Sequence, residues 1–255
     1  MRSNLPRVII SALLSAALVL CLGPTGTRAH SVNTRTISPQ TEVKSKPPLK
    51  RANDAGRHAR QATQVFNQVM VVPDNAIPKE LLQRAEAIAV FPGVLRAAFI
   101  VGGRKGQGVI SRRTPTGWSA PAFFNLGGGS IGAQIGASST DFVLLFMNEG
   151  ALRGLLEDKF EIGGEASVAA GPVGRTVSAS TNATLDAAIL SYSRSKGAFI
   201  GAAVKGVVIN PDNDLNEAFY GMKANDLLTG STRGGAAIPS VVRSFTLALN
   251  RYSRR

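Results

Sequence analysis

Apolar residues at 52, 55, 59, 62, 66, 69 and 70 recur every three or four positions, the period of a helix face. Arg51, Arg57, His58 and Arg60 charge the first half of this segment, 51–70. The stripe is alanine until Phe66, which favours packing on a domain over insertion into a membrane. Val71-Val72-Pro73 ends it, and Ile77-Pro78 opens a second helix with Leu81, Leu82 and Ala85 on its apolar side. From Ala87 the pattern changes to strands, over 87–91, 97–101 and 108–111. Gly102-Gly103-Arg104-Lys105-Gly106 lies between the last two as a hairpin signal. Thr116-Gly117 marks the next turn, followed by strands at 118–125 and 130–136. Residues 141–147 form a continuous apolar run, as a strand buried on both faces requires. Asn148 is placed to cap a short helix carrying Leu152, Leu155 and Leu156. Small-residue strands over 165–170 and 176–183 join through Gly171-Pro172-Val173-Gly174-Arg175, and 187–193 and 198–209 continue the sheet. Asp214 is placed to cap a helical turn over 217–220. A closing helix covers about 240–250, with Val241, Val242, Phe245, Ala248 and Leu249 inward.

Strands without long helices between them pair antiparallel, and helices gathered at the two ends make the class α+β. Sixteen of the 27 glycines fall between 102 and 174. Glycine weakens a strand unless a turn, bulge or close approach requires it. The expectation is a glycine-rich, mainly antiparallel, strongly bent sheet or barrel-like sandwich with helices at the N- and C-terminal ends.

The first 29 residues read as a signal peptide. Arg2 and Arg7 precede an apolar run over 8–22, and Thr27-Arg28-Ala29 puts small residues at −3 and −1. Cleavage is expected before His30, leaving an exported protein, periplasmic or secreted. Cys21 offers the alternative of a lipoprotein anchor, although Leu20 stands where such signals need a small residue. Residues 30–50, rich in Ser, Thr, Pro and Lys, read as a flexible linker. Residues 51–255 read as one domain ending in the basic tail Arg251-Tyr252-Ser253-Arg254-Arg255.

The 255-residue chain carries 29 Lys+Arg against 16 Asp+Glu, a net charge of +13. Arg2, Arg7 and Arg28 would leave with the leader and no acid would, so thirteen becomes ten. The excess points to an anionic partner, whether membrane, nucleic acid or acidic protein. One Cys and two His exclude an internal disulfide and a Cys/His zinc site. Gly127-Gly128-Gly129-Ser130-Ile131-Gly132 matches G-x-G-x-x-G but opens a strand rather than a helix, so a glycine turn accounts for it better. Asn210, Asp212, Asp214 and Asn216 alternate like calcium-loop oxygens, yet Leu215 and Gly221 occupy the positions that need Gly and Glu; capping is the better account. Glu149, Glu157, Asp158, Glu161 and Glu165 read as a solvated face, and His58 alone makes no nucleophile–base pair. Arg104, Lys105, Arg112, Arg113, Arg194, Lys196 and Lys205 sit near strand ends and turns. There they either converge on an anion-binding rim or stay scattered.

Several segments occur in a familiar order. Ile77-Pro78 with Leu81-Leu82, then Ala87-Ile88-Ala89-Val90-Phe91-Pro92-Gly93-Val94, open the series. Phe99-Ile100-Val101-Gly102-Gly103 and Gly117-Trp118-Ser119-Ala120-Pro121 follow. Next come Gly129-Ser130-Ile131-Gly132-Ala133-Gln134-Ile135-Gly136 and Gly171-Pro172-Val173-Gly174-Arg175. Ser191-Tyr192-Ser193-Arg194-Ser195-Lys196-Gly197 and Phe219-Tyr220-Gly221 complete the set. Across about 77–250 the chain resembles the SYLF domain family. The resemblance implies a non-enzymatic domain, without cofactor or metal, that binds phospholipids; some fungal members also bind actin. The expected function is an exported module meeting anionic phospholipid headgroups through the seven basic residues named above. The alternative is an envelope protein binding a protein or glycan partner. Export argues against actin, and the absence of aromatics interleaved with the basic pairs argues against nucleic acid. If the leader is cleaved as read, the intact mass of the mature protein corresponds to a chain starting at His30. A mass that retains Met1, or that includes lipid on Cys21, contradicts this.

Overall fold

The computed structural model describes residues 48–71, 76–98, 101–131, 136–157, 159–174, 186–195, 198–202, 204–230 and 238–254. The leader, most of the linker, the strand expected at 176–183 and Lys196 lie outside them. Helix α1 (Pro48–Val71) and helix α2 (Lys79–Arg84) precede strands β1 (Ala87–Ala98), β2 (Val101–Thr114), β3 (Gly117–Trp118), β4 (Ala122–Ile131) and β5 (Gly136–Phe146). Then come α3 (Glu149–Leu155), β6 (Phe160–Ile162), β7 (Val168–Ala170), β8 (Ile189–Ser195), β9 (Ala198–Gly201) and β10 (Val207–Pro211). The last helices are α4 (Asn213–Tyr220), α5 (Ala224–Thr229) and α6 (Ser240–Ser253).

The strands form one ten-stranded sheet in the order β6-β10-β4-β2-β1-β5-β8-β7, with β3 on β2 and β9 on β8. All pairs are antiparallel except β7 with β8. An Ile162–Ala166 bridge links the β6 edge toward β7, so the sheet bends into a nearly closed barrel. The class is α+β with helices at both ends of the chain.

Alternation explains how the sheet is covered. Ile88, Val90, Val109, Phe123, Val143, Leu145, Leu190 and Tyr192 point to one face, under α1, α2, α4 and α6. Ala87, Ala89, Phe91, Ile110, Phe124, Phe142, Leu144 and Phe146 point to the other, where α3, α5 and the curled β6–β10 pair cover them. A side-chain period of two on a sheet covered twice leaves no polar parity, hence the apolar run from Phe142 to Met147. The stripe of α1 is buried in the first of these cores, with Ala55, Ala59, Ala62 and Phe66 wholly covered. Packing on the domain is therefore what its alanine spacing achieves.

Several expectations need correction. The helix expected from 51 begins at Pro48, within the segment read as linker. Residues 102–106 are no hairpin turn; they lie inside β2. Their glycines serve close approach: a Cβ on Gly106 would meet Val94 Cγ2 at 2.6 Å, and one on Gly108 would strike the Val90 carbonyl and the Phe91 ring. Gly127, Gly128 and Gly129 likewise lie within β4, paired with β2, rather than in a turn. Of the strand expected at 130–136, residues 130 and 131 end β4 and 136 starts β5, while 132–135 lie outside the described residues. That expected at 165–170 shrinks to β7. The strand expected over 198–209 is two, because the chain turns at 204–206 to bury Val204 in the second core. The cap of α4 is Asp212, whose Oδ1 accepts from the Leu215 N–H at 3.1 Å; Asp214 lies in the first turn. Helix α5 has no counterpart in the sequence reading. Asn148 caps α3 as its position implies, accepting from the Ala151 N–H at 2.9 Å.

Two of the segments behind the family resemblance meet here. The Tyr220 hydroxyl donates to the Pro121 carbonyl at 2.7 Å, and its ring stacks on Phe123. Between them Asn216, wholly buried, pairs both ways with one residue of β4. Its Oδ1 accepts from the Phe123 N–H at 2.8 Å and its Nδ2 donates to the Phe123 carbonyl at 2.9 Å. Residue 216 thus stands in for a neighbouring strand. Asn216→Ala leaves the buried Phe123 N–H without its acceptor, at about 1–3 kcal/mol, and loses a second bond to a carbonyl that still accepts from the Asp212 N–H. Urea denaturation is expected to show a loss of about 2–4 kcal/mol, and a change near zero contradicts this role.

Candidate anion-binding surface

Strand β1 carries a bulge at Pro92-Gly93, where its register shifts against both neighbours. Gly93 has φ 58°, and its N–H donates to Asp141 Oδ1 at 2.7 Å. Arg194, opposite Asp141 on β8, donates from Nε and Nη2 to Oδ2 at 2.9 and 2.7 Å. One carboxylate therefore fixes the bulge and pairs with one candidate cation. Beyond it β1, β2, β4 and β5 continue past both cores: none of residues 95–97, 103–105, 127–129 and 137–140 belongs to either.

On this uncovered end Arg96 stands directly opposite Arg104 across the β1–β2 pair, flanked by Gly128 and Ser138. Both side chains share the face that continues Val94 and Gly106. Among the described residues neither guanidinium has a carboxylate partner. Burial, and then repulsion from Arg96, push the Arg104 guanidinium below its ordinary value. Like charges opposed across a strand pair are destabilising, so an anion between them has both to attract it. On the other face Lys105 stands opposite Leu95, which is 64% exposed.

The remaining candidates do not join this pair. Arg112 and Arg113 lie at the far end of β2. Arg112 faces Glu149 at 3.5 Å. Arg113 is committed to the fold: it donates to the carbonyls of Leu82, Ala85 and Ser253 at 2.6, 2.9 and 3.3 Å, and covers the Trp118 ring at 4.2 Å. It closes the C-terminal turns of α2 and α6 in the manner of a cationic cap. Lys205 is exposed in the β9–β10 connection beside Gly163. Arg96 was missed because the turn was placed at 102–106; with those residues inside β2, 96 and 104 fall opposite each other.

Residues 127–252 match the family model Ysc84, described as Las17-binding protein actin regulator. The chain belongs to the Ysc84 (SYLF) domain family. It is 36% identical over 176 residues to LAS seventeen-binding protein 3 of Saccharomyces cerevisiae, covering 67% of this chain and 38% of that protein. It is 37% identical over 180 residues to Protein YSC84 of the same yeast (69% and 37%). To SH3 domain-containing YSC84-like protein 1 of Homo sapiens it is 30% identical over 185 residues (71% and 53%). The chain spans about two-fifths to half the length of these relatives. The expectation that set actin aside is corrected: the matching family is described as an actin regulator, and a yeast relative is named for binding Las17. The leader behind that expectation lies outside the described residues.

No described helix is long and apolar enough to cross a membrane, and the described residues hold no group of three or more His, Cys, Asp or Glu placed to take a metal. The arginines of β2 are expected to separate by stability. Arg113→Gln loses three charge-assisted bonds and a cation–π contact, about 2–4 kcal/mol in total. Arg96→Gln relieves repulsion and leaves the denaturation midpoint unchanged or higher. Equal losses for the two variants would contradict the separation.

Proposed function

We propose that this SYLF domain is a binding module for anionic phospholipid surfaces, which it meets with the uncovered end of its sheet. The supporting observation is the Arg96–Arg104 pair, unbalanced by any described carboxylate, on strand ends that neither core covers. Lys105 adds a third cation, and Leu95 beside it an apolar side chain for the headgroup boundary. Exposed glycines at 103 and 129 leave the backbone accessible between the charges. Arg194 acts at one remove in this reading, by holding the bulge through Asp141.

Vesicle co-sedimentation tests it. Each basic residue near an anionic surface contributes about 1 kcal/mol, so Arg96→Gln with Arg104→Gln lowers partitioning about 30-fold. Binding weakens as salt shortens the Debye length. Equal binding to neutral and anionic vesicles at low salt, or an unaltered double variant, would overturn it. A second reading, an actin-regulatory protein partner, is favoured by the family's description alone. Co-sedimentation of the full chain with actin filaments, in the absence of lipid, is the observation that would support it.

A further inference from the structure

At the other end of β2 a cleft of about 570 Å³ opens between the β2–β3 turn and the last turn of α6. Arg113, Thr114, Thr116, Gly117, Arg251 and Arg254 are among its nine lining residues, none of which is acidic. Arg113 forms a fixed wall: the carbonyls of Leu82, Ala85 and Ser253 take three of its five donors, and the Trp118 ring covers its face. Trp118 is itself anchored, its Nε1 donating to Ser253 Oγ at 2.9 Å. Arg251 and Arg254 are exposed and, among the described residues, neither side chain has a hydrogen bond or carboxylate partner. The hydroxyls of Thr114 and Thr116 add neutral donors to a lining without acidic side chains.

We infer that this cleft binds a small phosphate-bearing anion, with Arg251 and Arg254 as the contacting forks and Arg113 as the pre-oriented wall. Guanidinium forks match phosphate oxygens in two-point geometry, and a rigid cation contributes without being ordered on binding. The cleft lies ten residues along β2 from Arg104, roughly 30 Å of extended chain. It is therefore separate from the surface proposed to meet lipid, and stands whether or not that surface does so.

Trp118, the only tryptophan of the chain, supplies the readout, because an anion drawn to Arg113 alters the charge over its ring. Titration of the full chain with pyrophosphate at constant ionic strength is expected to change Trp118 fluorescence saturably, while chloride does not. Arg251→Gln with Arg254→Gln, both exposed, is expected to keep the thermal midpoint and weaken the response at least tenfold. Arg96→Gln with Arg104→Gln is expected to leave it unchanged. A second arm uses phosphatidylcholine vesicles doped with phosphatidic acid. Binding that needs Arg251 and Arg254, without a pyrophosphate response, assigns the phosphate to a lipid headgroup. No response in either arm, or one indifferent to Arg251 and Arg254, overturns the inference.

Discussion

The structure depends on a sheet that is covered twice along half its length. Between residues 87 and 91 of β1, and over the strand segments paired with it, both side-chain parities are sealed by apolar layers. A sheet in that position cannot hold a charge at either parity without desolvating it. Charges on these strands are pushed to the two ends, and the ends differ. One is closed by helices whose terminal carbonyls bind Arg113. The other runs past the helices with Arg96, Arg104 and Lys105.

The Pro92-Gly93 bulge marks the change from covered to uncovered sheet. It shifts β1 by a register step, so that Val94 still points into the second core and Arg96 follows on the same face. Asp141 holds this geometry through the Gly93 N–H and also engages Arg194. A bulge next to a functional surface re-aims side chains in this way. The Gly108 contact with Val90 and Phe91 shows the same strands crossing too closely for any larger residue.

Much of the fold was legible in the chain. The alanine stripe of α1, the unbroken run of β5 and the Asn148 cap each express a local rule, and each forms as read. What failed needed non-local knowledge. Glycines at 102–106 look the same whether they turn a chain or admit a neighbour, and only the positions of Val94 and Phe91 distinguish the two. Asn216 was grouped with Asn210, Asp212 and Asp214 under capping because nothing nearby in sequence announces its bonds to Phe123, 93 positions away. The seven candidate cations were chosen by closeness to turns. The structure separates Arg104 from Arg113 by partners rather than by residue type: two arginines of one strand, one answered by carbonyls and a tryptophan, the other opposed by a third arginine. The pieces that carried the family resemblance are mostly packing devices, as Tyr220 on Pro121 and Trp118 on Ser253 show. They therefore specify the domain, and Arg96 and Arg104 lie outside them.

The orientation of the protein on a membrane tests this account most directly. With Cys21→Ser, a cysteine placed at exposed Ala97, Thr116 or Gln64 can carry an environment-sensitive dye. On addition of anionic vesicles at low salt, the account predicts a blue-shifted, brightened dye at position 97, and no change at 116 on the opposite end of the sheet or at 64 on α1. A response at 64 or 116 with none at 97 would contradict it, because the protein would then approach the membrane by a surface other than the end that carries Arg96 and Arg104.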